Sequence, residues 1–315
     1  MSEPPAVPLS GERVPIGALQ PVAKRASFVY LERCVVHRDQ NAIVAMAEAG
    51  TTYLPAAAIG VLLLGPGTRI THQAMRLLGE SGVVACWVGE GGARLYASAP
   101  SLSRSTRLLE AQARLVSNRR TRLGVARQMY QMRFPGEDVS RATMQQLRGM
   151  EGARVRRAYR ELGLEWGIEW HGRHYDSADS SVGDLVNRSL SVANSVVYGV
   201  VHTAIVALGC SPGLGFVHTG HALSFVYDVA DLYKVEASFP AAFATAARGE
   251  DGFAGTVRRL VRERVHDRRV LERVVEDIHA LLGAVTDEVL EEPAMGLFDE
   301  IEGEVPGGTD YAVEQ

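Results

Sequence analysis

The chain has 315 residues, 46% of them hydrophobic and 22% charged, with a mean hydropathy of −0.01 and a formal net charge of −4. This is an ordinary globular composition, long enough for roughly two domains. No run reaches the roughly 18 uncharged apolar residues that a membrane span needs. The start, MSEPPAVPLSGERV, lacks the basic end and apolar core of a signal peptide. Cys34, Cys86 and Cys210 are odd in number and form no CxxC. They read as reduced, mostly buried thiols of a cytoplasmic protein.

The net charge hides an uneven distribution. Residues 284–315 hold ten Asp and Glu and no Lys or Arg, which leaves residues 1–283 at +6. Residues 101–160 hold fourteen Arg against four acidic residues. Lys24 and Lys234 are the only lysines, so the positive charge is almost wholly guanidinium, the group suited to forked contacts with phosphate. A solvated helical face accounts for the charge equally well.

Residues 1–25 are Pro-rich and irregular, apart from one short strand candidate at VPIGAL. From Ala26 to about residue 100 the texture is β-like. SFVYLERCVV, NAIVAMAE, TTYLP, AIGVLLLG, VVACWVGE and RLYAS predict strands, and THQAMRLLGESG predicts one helix stopped at Gly82. After Ala99-Pro100-Ser101 come amphipathic patterns over about 102–134, ended by Pro135-Gly136, and over 140–163 with Ser140 as N-cap. A short insertion, WGIEWHGRHY, precedes a long helix over about 181–209. Beyond the Gly-rich loop SPGLGFVHTG, helices fit from Leu223, over 240–248 and over 252–283. The acidic tail, 286–315, predicts disorder. The expected architecture is α+β in two domains: a β-rich, sandwich-like domain over 26–100 and an all-helical catalytic domain over 101–285.

The segment GFVHTGHALSFVYDVADLYK places His218, Asp228 and Asp231 among apolar residues. Asp228 and Asp231, three apart on a helix, share a face and repel each other at a desolvation cost. A divalent cation offsets both penalties, because Mg²⁺ and Mn²⁺ favour carboxylate oxygens. If repulsion dominates, Asp228→Asn leaves the metal-free protein as stable or more so. The competing reading has His218 capping or packing and the aspartates facing solvent. Glu151 is a candidate third ligand. Gly149 and Gly152 bracket it inside a helical pattern, each at a cost of roughly 0.5–1 kcal/mol relative to Ala, which suggests close approach of a ligand. Arg148, Arg154, Arg156 and Arg157 surround it.

GTRITHQAMRL, WVGEGGARLYAS, LRGMEGARVR, HGRHYDSAD and HTG followed by SFVYD-x-AD together resemble the CRISPR spacer-acquisition integrases, the Cas1 family, of the subtype I-E branch. The likeness runs in order over about residues 27–248. It implies a metal, Mg²⁺ or Mn²⁺, held by Glu151, His218 and Asp231 with Asp228 in support. It also implies transesterification, in which the 3′-hydroxyls of captured DNA fragments join the CRISPR repeat. The implied assembly is two homodimers around a dimer of the small Cas2 protein, on double-stranded DNA. Arg69, Arg76 and Arg94 match basic DNA contacts. Arg173, Tyr175 and Tyr227 match the pocket for the protospacer-adjacent motif, although core packing also explains Tyr227. Two positions depart from the subtype: His221 stands where a lysine commonly follows HTG, and Arg33 where a tyrosine splays duplex ends. Two other classes remain open on the residues alone. One is a prenyl-type diphosphate enzyme using the helical DxxD, and the other a non-catalytic DNA scaffold.

Overall fold

The computed structural model describes residues 26–100, 105–134, 136–173, 184–249, 252–283, 295–299 and 303–307. The expected VPIGAL strand, Tyr175 and most of the acidic tail lie outside them. Within the described residues the chain is α+β, with a β-rich region over 28–99 and a helical region over 107–282.

The β-rich region opens with β1 (Ala26–Leu31), β2 (Cys34–Asp39), β3 (Ala42–Ala47), β4 (Gly50–Pro55), β5 (Ile59–Leu64) and β6 (Arg69–Ile70). β2, β3 and β4 form an antiparallel meander, with Val36 opposite Ala45 and Ala45 opposite Thr52, and β6 adds in parallel to β2. The resulting sheet has the order β4-β3-β2-β6. β5 is buried at all six positions and pairs in parallel with β1, as an uninterrupted apolar run predicts. Helix α1 (His72–Glu80) starts where the Thr71 side chain accepts from the Ala74 amide, and buries Ala74, Leu77 and Leu78. β7 (Val84–Val88) and β8 (Leu95–Ala99) follow.

The helical region differs from the sequence pattern where single residues break it. The expected 102–134 helix is two, α2 (Arg107–Ser117) and α3 (Arg119–Arg133). Asn118 separates them and caps the second by accepting from the Arg120 amide at 2.8 Å. α4 (Met144–Trp166) is capped by Thr143 rather than Ser140. Thr143 and Gln146 exchange side-chain-to-backbone bonds in a capping box, whereas the Ser140 amide turns to Asp138. α5 (Leu185–Ala207) is followed by α6 (Ser224–Ala230) and α7 (Lys234–Ala246). α7 begins six residues before the expected start because Pro240 sits inside it. Proline leaves the Glu236 carbonyl without its helical donor, and the Arg264 guanidinium reaches that carbonyl at 3.5 Å. The expected 252–283 helix is also two, α8 (Phe253–Asp267) and α9 (Val270–Leu282), broken where Arg269 adopts φ 49°.

α5 is long and apolar enough to cross a membrane by length and composition, contrary to the sequence expectation. It is the core helix instead. Leu190, Ala193, Val196, Val197, Val201 and Ala204 are fully buried, and it packs on α7 and α8.

The described residues divide into two compact units, those within 26–100 other than 86–98 together with 295–299 and 303–307, and 86–98 with those within 105–283. Residues 86–98 thus go with the helices rather than with the β-rich domain. The reason is local. The turn between β7 and β8 is closed by the Gly89 amide on the Arg94 carbonyl at 2.8 Å, and Ala93 lies so close to Gly199 of α5 that a Cβ there would overlap it. In the acidic tail, residues expected to be disordered form β9 (Met295–Asp299) and β10 (Gly303–Gly307), an antiparallel pair. No disulfide joins the three cysteines, which are buried.

Candidate active site

The pocket and the loop that carries His218 lie in the helical unit. The loop between α5 and α6 is ordered by its own backbone polar groups. The Pro212 carbonyl accepts from the Phe225 amide at 2.8 Å. Gly215 passes so close to His218 and Ser224 that a Cβ would overlap both. The carbonyls of Phe216 and Val217 accept from Arg122 of α3 and Arg148 of α4. The three amides of Phe216, Val217 and His218 all donate to one carboxylate, that of Asp228, at 2.5, 3.0 and 2.8 Å. Asp228 also accepts from His218 Nδ1 at 2.6 Å.

Asp228 therefore does not form a like-charged pair facing a common ion. It is buried, with four donors on its two oxygens, and it fixes the imidazole orientation. This geometry argues against the expectation that Asp228→Asn would leave or raise stability, since an amide there would present N–H groups to N–H groups. The diphosphate reading of the DxxD fails for the same reason: one of its two acids is fully engaged inside the fold.

Asp231, one residue past α6, faces a pocket of about 440 Å³ lined by Arg148, Glu151, Val217, His218, Thr219 and Asp231. Glu151 on α4 accepts from the Tyr130 hydroxyl at 2.7 Å and pairs with Arg133. The same Arg133 nitrogen lies 3.6 Å from Asp231, so one guanidinium bridges the two acids. On its other oxygen Asp231 meets Lys234 Nζ at 2.5 Å, and that ammonium lies 4.7 Å from the Tyr198 ring centroid. Burial alone would raise the Asp231 pKa, but Lys234 and Arg133 outweigh it and hold the carboxyl below its usual range. Burial alone would lower the Lys234 pKa, and Asp231 reverses that to well above the ordinary lysine value. Burial, then the bond to Glu151, pushes the Tyr130 phenol far up, so it stays a donor. The Asp228 hydrogen bond raises the His218 pKa against the opposing effect of burial.

Whether these residues suit a divalent cation can be judged from the donors. Among the described residues no three His, Cys, Asp or Glu side chains stand close enough together to form a ready-made cage. Glu151, His218 and Asp231 do share one pocket, and two protein cations stand against its acids. His218 donates Nδ1–H to a buried carboxylate, which in the singly protonated ring leaves the Nε2 lone pair for a ligand. A carboxylate behind the imidazole is the usual support of a metal-bound histidine. The donor set is chemically suited to Mg²⁺ or Mn²⁺.

The remaining candidates fall in several places. Tyr227 lies 5.1 Å from His221 and 5.0 Å from Tyr198 between ring centroids, and 5.8 Å from His218, so it joins an aromatic cluster beside the pocket. His221 is fixed by accepting from the Leu223 amide. Arg148 lines the pocket, as expected. Arg154 instead lies over the Phe134 ring at 4.5 Å. Arg173 grips α5, donating to the Asn187 carbonyl and side chain and to Ser191. Arg94 is exposed, one residue before β8. Arg69 and Arg76 belong to the other compact unit, where Arg76 pairs with Glu80 at 2.6 Å. Arg33 carries φ 50° and pairs loosely with Glu32. Gly149 has no atom within reach of an added Cβ, and Gly152 only the flexible end of Arg156. Nothing among the described residues explains either glycine.

Sequence reasoning missed Arg133, Tyr130 and Lys234. Lys234 did carry a signal, as one of two lysines and three residues after Asp231.

Comparison with known proteins adds the following. The family model "CRISPR associated protein Cas1" matches residues 28–135 and 137–254. A CRISPR-associated endonuclease Cas1 of Clostridium sp. (strain SY8519) is 48% identical over 93% of this chain and 98% of its own length. One from Escherichia coli (strain K12) is 39% identical over 84% of this chain and 87% of its own. The crystal structure of a TtCas1–DNA complex superposes with a TM-score of 0.78 at 47% identity, covering 82% of this chain and 97% of that one.

Proposed function

The chain belongs to the CRISPR-associated Cas1 family, and we propose that it is a divalent-metal-dependent DNA nuclease and integrase of CRISPR adaptation. On this reading it joins the 3′-hydroxyl ends of captured DNA to the CRISPR repeat by transesterification. The observation that carries the proposal is that Glu151, His218 and Asp231, from three separate chain segments, line one pocket beside Arg148. The family's DNA-bound relative supports a DNA partner, as does the Arg-rich helical region. The subtype I-E assignment rests on the HTG…SFVYD-x-AD motif and on the likeness to the Escherichia coli relative.

A bound Mg²⁺ or Mn²⁺ supplies Lewis acidity to a phosphodiester and stabilises charge on its leaving oxygen. The chain's own residues do the rest. Glu151, His218 and Asp231 would hold the ion. Asp228 orients His218 and fixes the loop amides. Arg148, at the pocket edge, attracts and aligns the phosphate. The α4 face, bare of side chains at Gly149 and Gly152, admits a DNA strand against the helix backbone. Tyr227 and His221 offer ring faces to an unpaired base. Assembly as two homodimers around a Cas2 dimer, and a cytoplasmic location, belong to the same proposal.

Purified protein incubated with a branched DNA duplex and Mn²⁺, Mg²⁺ or chelator tests it. Strand joining or cleavage that needs the divalent ion and disappears in Glu151→Gln is the expected result. Equal activity in chelator, or in the variant, contradicts the proposal.

A further inference from the structure

The loop that carries His218 is also held from behind, by a side chain that is not among those lining the pocket. Gln112 on α2 is fully buried. Its Oε1 accepts from the Ser211 amide at 2.8 Å, while Nε2 donates to the Ser211 carbonyl at 2.9 Å and the Leu214 carbonyl at 3.0 Å. A carboxamide has one acceptor oxygen and two N–H donors, and here all three functions are spent on one short stretch of backbone. Glutamate could keep the first bond and neither of the others, and methionine none. The double exchange with Ser211 reproduces a strand-pair bond with a side chain.

The loop is then fixed in steps toward the pocket. Gln112 sets Ser211 and Leu214, Arg122 and Arg148 take the next carbonyls, and Asp228 gathers the amides at 216–218 beside the imidazole. Arg148 and Asp228 touch the pocket or its imidazole. Gln112 is the remote anchor.

We propose that Gln112 is a positioning residue for the reaction: its carboxamide sets the register of residues 211–214 and thereby where His218 stands in the pocket. The inference rests on the reading of that pocket as the reacting site.

Gln112→Met keeps the length and removes every polar atom, and Gln112→Glu keeps the acceptor alone. Both are compared with the full-length wild-type chain in Mn²⁺-dependent turnover of a branched duplex, in affinity for that duplex, and in amide exchange at residues 216–218. Since misplacing a reacting group by about 1 Å can cost a hundredfold, the folded variants should lose about tenfold or more in kcat. KM and DNA affinity should stay within about twofold of wild type, with faster exchange at 216–218. A role in global stability alone would lower the melting temperature and leave kcat well below that temperature unchanged. Wild-type kcat in either folded variant overturns the proposal. If neither variant folds, the Ser211 amide in the wild-type chain decides. Protection like that of the α5 core supports the anchor, and exchange as fast as an open loop overturns it. A wild-type chain inactive on the duplex defeats the nuclease reading, and the exchange data still judge the hold of Gln112 on the loop.

Discussion

On the His218 side of the pocket, backbone amides and carbonyls from residues 211 to 218 find partners inside the chain, in Gln112, Arg122, Arg148 and Asp228. On the α4 side, the surface around Glu151 carries two glycines where, among the described residues, an added Cβ would meet nothing at Gly149 and only the flexible end of Arg156 at Gly152, flanked by exposed Arg148, Arg156 and Arg157. The first side is built for fixed geometry. The second gives up helix stability to leave room. The contrast recurs three residues apart, in Asp228, wholly engaged within the fold, and Asp231, open to the pocket and held by cations. It teaches that equal residues at helical spacing can divide into a buried support and a pocket-lining carboxylate once the surrounding elements are in place.

The comparison can be broken most severely at Asp231. Asp231→Ala strands the buried Lys234 ammonium, and losing one partner of a buried pair costs about 3–5 kcal/mol. The variant should melt much lower as well as lose activity, and the double variant with Lys234→Met should recover much of the stability. Calorimetry of the wild type and the two variants checks this. Asp228→Asn comes next. Opposing the loop amides with an amide group should cost about 1–3 kcal/mol, read as a lower denaturation midpoint with impaired activity. An unchanged midpoint would return Asp228 to the like-charge reading.

A smaller and opposite effect belongs to the α4 side. Gly152→Ala should stabilise the chain by about 0.5–1 kcal/mol while weakening DNA binding, an antagonism that fluorescence anisotropy and thermal melts expose together. The smallest concerns pH. Burial lowers the pKa of His202 and His279 in the fold. The folded state therefore disfavours their protonation. Their contribution to stability is present above the unfolded value, about 6.5, and is lost as pH falls through the depressed folded values. Melting temperature should decline on acidification below that point, and less steeply in His202→Gln.

Much of the fold was legible in the sequence because apolar periodicity is local. β5 is a continuous apolar run, and α1 ends at Glu80, two residues before the Gly82 that its pattern marks as the stop. What escaped were decisions made by one residue against its neighbours' pattern. Asn118 divides a helix by capping the second half, Arg269 breaks another by adopting positive φ, and Pro240 is carried inside α7 because Arg264 supplies a donor to the carbonyl that proline leaves bare. In the site, Glu151, His218 and Asp231 were readable from motif resemblance and from the costly glycines. Arg133, Tyr130 and Gln112 were not. Their roles come from residues tens of positions away, and no spacing announces them. The supporting place of Asp228 came from the resemblance, whereas spacing alone paired it with Asp231, because helical spacing reports which face a side chain shares and not what folds over that face.

On the proposed reading, Glu151, His218 and Asp231 converge on one divalent ion. Crystals of the full chain soaked in Mn²⁺ and measured at the manganese edge test it most directly. The account predicts one strong anomalous peak in the pocket, at ligating distance from all three side chains and absent in Glu151→Gln. A peak elsewhere, or none at a Mn²⁺ concentration that supports DNA joining, would contradict it.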